Sequence, residues 1–537
     1  MRSGGVEIVM EKKQNKSFMY GAVVLLIANV LVKLIGAGFK IPLTYLLDED
    51  GMGLFSTAYT IYTFLFVIAT AGLPVAISKM IAESSALGRR RETKRIFHAS
   101  FALLAFIGIA GSIALYFGAD RFAKIAKSPM AVPAIKAIAP AMLFVSFMSA
   151  FRGYFQGRQD MVPTASSEVA EALFKLIVGY VLAYIFVGRG VEYGAAGAML
   201  GVSSGAAAGL VVLMIMYIAK RKKADFAETD SECRSFGGIL KKMFIIALPI
   251  TIGASVFSLT TVIDTFMIQR RLLAAGFSAS EALKLWGSYS GYAVPLFNLV
   301  PTLVTSISIS IVPAVAGAYV KGEKDEARRQ TVSAIKVTML FALPCAVGIA
   351  LLSNPILKFV YNNTNATSML SILGYAVVFV SLVLVTNAVL QALGKVWLPV
   401  IHMAVGGASK VLINYVLVGM PFFNINGAPI GTNICYIIIL LLNVISIIKL
   451  LGGRYNVSEL VVKPLLSVAV MGVTVLFAAS VSMRLGRICG CVLPIVAGGI
   501  AYAVMVFAIS AVNKDDILML PGGGKIYGIL KKCKIMK

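Results

Sequence analysis

Residues 367–393 read TSMLSILGYAVVFVSLVLVTNAVLQAL, a continuous run without a charged side chain. A run of about 20 apolar residues is long enough to cross the hydrocarbon core of a bilayer as an α-helix. Comparable runs recur from one end of the chain to the other, which predicts an all-α membrane protein with many spans. Fourteen candidate spans can be drawn: 18–47, 53–82, 96–117, 134–151, 164–187, 194–219, 243–269, 286–319, 331–353, 367–393, 396–419, 427–448, 464–483 and 490–512.

The composition supports a membrane protein over a soluble one. Of the 537 residues, 59% are hydrophobic and 14% are charged, whereas soluble domains have about 45–50% and about 25%. The net charge of +25 is explained by basic cytoplasmic loops, so nucleic acid is not an expected partner. The six cysteines have neither metal-ligand spacing nor a disulfide framework, and we expect no metal or cofactor.

Basic residues between the spans predict the orientation. Lys and Arg are enriched in cytoplasmic loops, and their clusters follow spans two, six and eight. We therefore expect both termini in the cytoplasm and an even number of spans in the cytoplasmic membrane, although a smaller basic group at residues 121–136 would then lie outside. The clusters are Arg89–Arg91 with Lys94 and Arg95, Lys220–Lys223, and Lys321 with Lys324, Arg328 and Arg329.

The chain also repeats itself at a nearly constant distance. Nine residues recur in order after 233 to 237 positions, which predicts two six-helix lobes of the same orientation followed by two further helices. The corresponding regions are 1–225, 226–455 and 456–537, the last ending in a basic tail. The matches are Ala82, Gly88, Glu92, Arg95, Gln156, Gly157, Pro163, Lys175 and Gly194 with Ala316, Gly322, Glu326, Arg329, Gln391, Gly394, Pro399, Lys410 and Gly427.

Lys33 and Lys40 are candidate substrate-binding residues in the first span. Seven residues are almost two helical turns, so both side chains point to one face. Neither has a carboxylate within a turn, and two such cations suit a polyanion such as a diphosphate. Gly36 and Gly38 between them would let backbone donors approach a ligand. The alternative is that the lysines reach the membrane surface by snorkelling.

Other ionisable residues within the spans suggest ion pairs. Glu171 and Lys175 stand in the favourable i,i+4 order on span five, which predicts a structural pair. Asp264 in span seven and Lys410 in span eleven are each costly to bury alone, so we expect them to pair with each other. Asn414 and Thr432 are expected neighbours of that pair.

Four segments carry a resemblance to a known family: KLIGAGFKIPLTYLL at 33–47, AGLP at 71–74, ISK at 77–79 and FRGYFQG at 151–157. With the layout of six, six and two spans, the chain resembles the lipid-flippase branch of the multidrug/oligosaccharidyl-lipid/polysaccharide exporter superfamily. Within it, the chain is similar to the stage V sporulation protein B group, relatives of the MurJ-type lipid II flippases. The likeness covers essentially the whole chain.

The resemblance implies two lobes around a cationic cavity, with Lys33 and Lys40 matching the basic residues of the first helix. Some relatives bind sodium between the seventh, eleventh and twelfth helices. Asp264, Asn414 and Thr432 fall in matching places, and the ammonium of Lys410 would replace the ion. The family's further basic residues in the second and eighth helices have no match in this chain.

The expected function is translocation of an undecaprenyl-diphosphate-linked glycan, the lipid II peptidoglycan precursor first among them, by alternating access. The expected partners are this lipid-linked substrate and membrane lipids. Three alternatives stay open: an exporter of a capsule-type or teichoic-type unit, a drug/cation antiporter, and a membrane-embedded glycan polymerase. We do not expect an enzyme, because the chain has neither a Walker A sequence nor a nucleophile elbow and its external loops are short.

Overall fold

The computed structural model describes residues 3–86, 89–158, 160–221, 235–453, 458–482 and 486–509. Within these ranges the chain forms helices joined by short turns, with no strand, so the predicted all-α class is confirmed. The helices are α1 (Ser3–Thr70), α2 (Leu73–Ala86), α3 (Arg90–Ile125), α4 (Val132–Gly157), α5 (Val162–Val187), α6 (Val191–Arg221), α7 (Phe236–Ala274), α8 (Ala279–Gly287), α9 (Val294–Phe297), α10 (Leu299–Val320), α11 (Lys324–Leu351), α12 (Ser353–Tyr361), α13 (Thr367–Ala392), α14 (Trp397–Val418), α15 (Gly427–Leu451), α16 (Lys463–Ser482) and α17 (Arg487–Ala508).

Eleven helical stretches of the described residues are long and apolar enough to cross a membrane. One of them, Ala28–Ser85, contains most of the first two predicted spans. Helices α7 and α10 overlap the predicted spans 243–269 and 286–319 but are not among the eleven. The multi-pass helical architecture is confirmed, and the count of fourteen stays a prediction.

The chain divides into two compact units, Met1–Gln269 and Arg270–Lys537. Most of α7 belongs to the first unit, whereas the repeat assigned it to the second lobe. Contacts inside the first unit account for this: the Gly72 amide donates to Thr251 Oγ1 at 3.2 Å, and Lys242 Nζ donates to Glu83 Oε2 at 2.6 Å. The lobe limits at residues 225 and 455 stay a prediction.

In the first unit, two of the motifs behind the family resemblance pack on each other. A Cβ built at Gly153 would lie 2.8 Å from the Cβ of Ile77, and one at Gly157 would lie 2.9 Å from that of Ile81. Real Cβ atoms do not approach so closely, so α4 reaches α2 only because glycine stands at both positions. Segment FRGYFQG thereby fixes α4 next to the helix that follows AGLP.

A stripe of four glycines on α6 holds α5 at short range. The Cβ positions of Gly197, Gly201, Gly205 and Gly209 all fall against the backbone of α5, and Gly201 meets Gly179 there. Small residues at this spacing let two membrane helices approach closely. The stripe confirms the packing role that its four-residue spacing predicts, and it sets the position of the polar side chains on α5.

The second unit is built around α13, and 72% of the most apolar 18-residue stretch of this helix is buried. Val385, Val389 and Leu390 of this helix form a core with residues of α10, α11 and α15. Helices α16 and α17 belong to the same unit, and Tyr502 Oη donates to the Leu340 carbonyl of α11 at 2.7 Å. The basic tail predicted at the C-terminus lies outside the described residues.

Candidate functional site

Lys33 and Lys40 lie on a part of α1 that stays helical throughout. Lys33 is exposed, Lys40 is partly buried, and the helix continues through Pro42 to its break at Asp48. Gly36 and Gly38 therefore do not interrupt the helix. A Cβ at Gly36 or Gly38 would meet no atom of the described residues within 4 Å, so among these residues nothing covers the helix surface between the two lysines.

The predicted pairing of Glu171 with Lys175 is wrong. Glu171 Oε2 pairs with the Arg152 guanidinium of α4 at 3.0 Å, and Arg152 Nη2 also donates to Ser167 Oγ at 3.2 Å. A guanidinium presents several donors in a rigid fork, so it contacts the carboxylate and the hydroxyl together. This competition from another helix displaces the i,i+4 lysine.

Arg152 is a site residue that the sequence reasoning missed. The predicted fourth span, 134–151, ends one residue before it, but helix α4 continues to Gly157. The available signal was the motif FRGYFQG itself, in which an arginine lies between aromatic residues and glycines. Its side chain is 19% exposed, as expected of a charge that is paired within a helical bundle.

Lys175 is held by aromatic rings instead of a carboxylate. Its Nζ lies 5.3 Å from the ring centre of Phe39 and 5.1 Å from that of Tyr59. Both distances are within the range of a cation–π interaction. Tyr59 is part of a ladder on α1, with Phe55 stacked against it at 5.9 Å and Tyr62 at 6.1 Å between ring centres.

These contacts bring five ionisable side chains together in the first unit. Lys40 directly follows Phe39, whose ring centre lies 5.3 Å from Lys175 Nζ. Glu168 interacts electrostatically with Arg152 and Glu171, and its Oε2 is buried without a hydrogen-bond partner among the described residues. We call Lys40, Arg152, Glu168, Glu171 and Lys175 the charged cluster.

The cluster carries three basic groups and two carboxylates, and Lys33 adds a further cation on α1. With Arg152 and Glu171 paired, Glu168 is the one remaining carboxylate of the cluster, so together with Lys33 the basic groups are in excess. Such an arrangement attracts an anion with several negative oxygens. No group of three or more His, Cys, Asp or Glu suited to a metal occurs in the part of the chain that the structure describes.

The residues predicted around a second buried pair are divided between the units. Asp264 on α7 is 4% exposed, and the second unit holds the buried Asn414 and Thr432 and the partly buried Lys410. Asn414 Oδ1 lies against Gly431, and Thr432 Oγ1 donates to the Ala428 carbonyl at 2.9 Å. The pairing of Asp264 with Lys410 stays a prediction.

The second unit also contains a group of side chains joined by hydrogen bonds. His402 Nδ1 donates to Asn443 Oδ1 at 2.7 Å. Asn443 Nδ2 donates to Thr386 Oγ1 at 2.9 Å and to Asn387 Oδ1 at 2.8 Å. We call Thr386, Asn387, His402 and Asn443 the amide network.

The helical fold and the polar clusters define a multi-pass membrane protein. Residues 18–320 match the family model described as polysaccharide biosynthesis protein, and residues 288–416 match the MatE family. The first match spans more than half of the chain, which therefore belongs to the polysaccharide biosynthesis protein family. The resemblance found in the sequence is confirmed.

Three relatives support this assignment. The stage V sporulation protein B of Bacillus subtilis (strain 168) is 23% identical over 519 residues, covering 95% of this chain and 99% of that protein. The lipid II flippase MurJ of the same organism is 26% identical over 521 residues, covering 92% and 95%. A solved structure of the lipid II flippase MurJ, in an inward closed conformation, has a TM-score of 0.67 at 14% identity and covers 91% and 98%. This last likeness shows the fold, which is that of a membrane transporter.

Proposed function

We propose that this protein is a flippase for an undecaprenyl-diphosphate-linked glycan, the lipid II peptidoglycan precursor, and that it works by alternating access. The observation that carries the proposal is the cationic face of α1. Lys33 is exposed and Lys40 partly buried, and the glycines between them leave the helix surface open. The similarity to the lipid II flippase MurJ over 92% of the chain supports the same substrate class.

In this proposal Lys33 and Lys40 bind the phosphates, since their ammonium groups are point charges suited to phosphate oxygens. The open surface at Gly36 and Gly38 admits the head group close to the helix. The lipid tail stays in the hydrocarbon core of the bilayer throughout, so it needs no binding site. Only the polar head group has to be shielded from the hydrocarbon core as it crosses. The protein moves the substrate without altering a covalent bond.

A second candidate is an exporter of another lipid-linked oligosaccharide. The description of the matched family, polysaccharide biosynthesis protein, favours it, because it names glycans in general. All these substrates share the lipid-linked diphosphate, so Lys33 and Lys40 keep the same role. The two candidates are separated by measuring how fast the protein translocates lipid II and how fast it translocates a capsule-type or teichoic-type lipid-linked unit. The faster substrate identifies the function.

Complementation tests the proposed function in cells. The chain is expressed in bacteria depleted of their own lipid II flippase, beside the Lys33→Ala/Lys40→Ala variant and a Lys395→Gln control, which alters an exposed lysine of the second unit. We expect growth with the wild type and with the control, and none with the double variant at equal membrane abundance. Failure of the wild type to restore growth, despite normal membrane abundance, would count against lipid II as the substrate.

We further propose that the chain crosses the cytoplasmic membrane fourteen times with both termini inside, because basic residues are concentrated on the cytoplasmic side of such proteins. Reporter fusions after Lys223 and after Lys534 should both give a cytoplasmic signal. An external signal at either fusion point would refute this span count.

A further inference from the structure

We propose that the end of α3 and the turn after it bind the headgroup of an anionic phospholipid through Arg121, Lys124 and Lys127. We call these three residues the basic rim. They belong to the basic group at residues 121–136, which the orientation predicted from the sequence places outside, where basic residues are usually few. The inference is independent of the proposed function, because it concerns a lipid of the surrounding bilayer and not the translocated substrate.

The first observation is the charge of the basic rim. All three side chains are exposed, and none of them forms an ion pair with another described residue. Asp120 stands one turn before Lys124, but it pairs with Lys136 of α4, with 3.5 Å between the charged atoms. Within the described part of the chain, the basic rim therefore presents three uncompensated positive charges. Other basic residues of the first unit do have carboxylate partners, such as Lys220 with Asp160 and Lys242 with Glu83.

The second observation is the backbone conformation of Lys127. Two hydrogen bonds close the turn after α3: the Lys127 amide donates to the Lys124 carbonyl at 3.1 Å, and the Ser128 amide donates to a carbonyl of the last helical turn at 3.0 Å. In this motif the first residue after the helix is left-handed and is usually glycine. Lys127 occupies that position with a φ of 55°, although its β-carbon disfavours the conformation. The geometry of the turn therefore does not account for a lysine there.

The third observation is the apolar surface beside the basic rim. Phe117, Arg121 and Ile125 are four residues apart, so they lie on one face of α3. The Phe117 side chain is 76% exposed and that of Ile125 is 42% exposed, on a helix long and apolar enough to cross a membrane. Apolar side chains exposed on such a helix contact acyl chains, and cations at its end reach the headgroups. A phospholipid presents both chemistries at once.

A role in helix stability is the alternative for these cations. Positive side chains in the last turn of a helix interact favourably with the helix dipole. This accounts for Lys124, but it requires neither the left-handed Lys127 nor the apolar residues on the same face as Arg121. A phospholipid headgroup accounts for all three cations, because its phosphate oxygens accept several charge-assisted hydrogen bonds.

Lipid selectivity beside the basic rim tests the inference. The two tryptophans of the chain are removed as Trp286→Phe/Trp397→Phe, and Phe117→Trp places one fluorescent reporter a helical turn from Arg121. The full chain is reconstituted in vesicles of phosphatidylcholine and phosphatidylglycerol, one of which carries brominated acyl chains that quench tryptophan. Quenching then gives the enrichment of phosphatidylglycerol at the reporter over its share in the vesicle. We expect an enrichment of at least about fivefold, which falls at high salt.

Variants of the reporter protein separate lipid binding from helix stability. Arg121→Gln/Lys124→Gln should bring the enrichment close to one, and the control Lys395→Gln should leave it unchanged. Lys127→Gly should lower the enrichment about twofold or more while the protein keeps or gains thermal stability, which a role in helix stability alone does not produce. Because glycine suits the turn, this variant also decides the matter if the double variant does not fold.

Three results would overturn the inference. The first is no enrichment of phosphatidylglycerol at the reporter, and the second is an unchanged enrichment in Lys127→Gly. The third is binding of soluble polyphosphate through the basic rim without any lipid enrichment, which would assign these cations to an anion outside the bilayer.

Discussion

At corresponding positions of the two units, neighbouring helices are joined by different kinds of polar contact. A shift of 235 residues relates Gln156 to Gln391 and Lys175 to Lys410, and it places Arg152 opposite Asn387 and Ser167 opposite His402. In the first unit Arg152 joins α4 to α5 through Ser167 and Glu171. In the second unit the amide network joins α13, α14 and α15 through hydrogen bonds rather than an ion pair.

This difference indicates what the charges are for. The amide network joins helices of the second unit through hydrogen bonds rather than an ion pair. Hydrogen-bonded neutral groups cost less to bury than ions, so the charges of the first unit are candidates for a role beyond joining helices. A charge retained within a membrane protein where a neutral group would suffice is a functional candidate.

The largest expected effect concerns the lysines that correspond in the two halves. Lys175 rests on aromatic rings, whereas we predict that Lys410 pairs with Asp264. Asp264→Ala or Lys410→Ala alone should lower the free energy of unfolding by about 3–5 kcal/mol, because one buried charge is left uncompensated. The double variant should lose less than either single variant, as measured by thermal unfolding in detergent.

The sodium dependence of transport is a second test of the predicted pair of Asp264 and Lys410. With the ammonium of Lys410 beside Asp264, transport should proceed without sodium. Strict sodium dependence that Asp264→Ala abolishes would contradict the pair and would place a cation there instead.

The next effect concerns Arg152. Arg152→Ala should lower the free energy of unfolding by about 2–3 kcal/mol, less than for a fully buried pair because Glu171 is about a third exposed. Arg152→Ala/Glu171→Ala should recover part of the loss, since the unpaired carboxylate is removed. A loss in the double variant equal to the sum of the two single losses would show that the pair contributes no coupling.

The smallest expected effect lies in the amide network. Asn443→Ala removes partners from Asn387, Thr386 and His402 and should cost about 1–3 kcal/mol, the range for buried neutral groups left unsatisfied. Because the Asn443 side chain is itself uncharged, this loss should not change between low and high salt, unlike the loss in Arg152→Ala. A salt-dependent loss in Asn443→Ala would remove the contrast between the two halves.

The helical architecture could be predicted from the sequence because continuous apolar runs of about 20 residues cross a bilayer as helices, in which every backbone group is hydrogen-bonded within the segment. The other structure that satisfies the backbone in lipid, a closed β-barrel, is built from shorter strands of alternating hydrophobicity. A close helix contact of α6 was also predictable, because glycines four residues apart lie on one face of a helix and let another helix approach it closely. The partner of Glu171 could not be predicted from the sequence. Spacing along α5 suggests Lys175, but the partner, Arg152, belongs to α4. The predicted span 134–151 ends six residues before α4 does, so it did not include Arg152.

The central claim is that the cationic face of α1 moves a lipid-linked diphosphate, and translocation in proteoliposomes tests it most directly. A fluorescent undecaprenyl-diphosphate-linked glycan is followed with the wild type, Lys33→Ala/Lys40→Ala, Lys33→Arg/Lys40→Arg and the control Lys395→Gln. We expect the alanine variant to translocate at least about 100-fold more slowly, because it lacks two charged contacts. The arginine variant should keep part of the rate, and the control should keep all of it. A wild-type rate in the alanine variant would refute the role of Lys33 and Lys40.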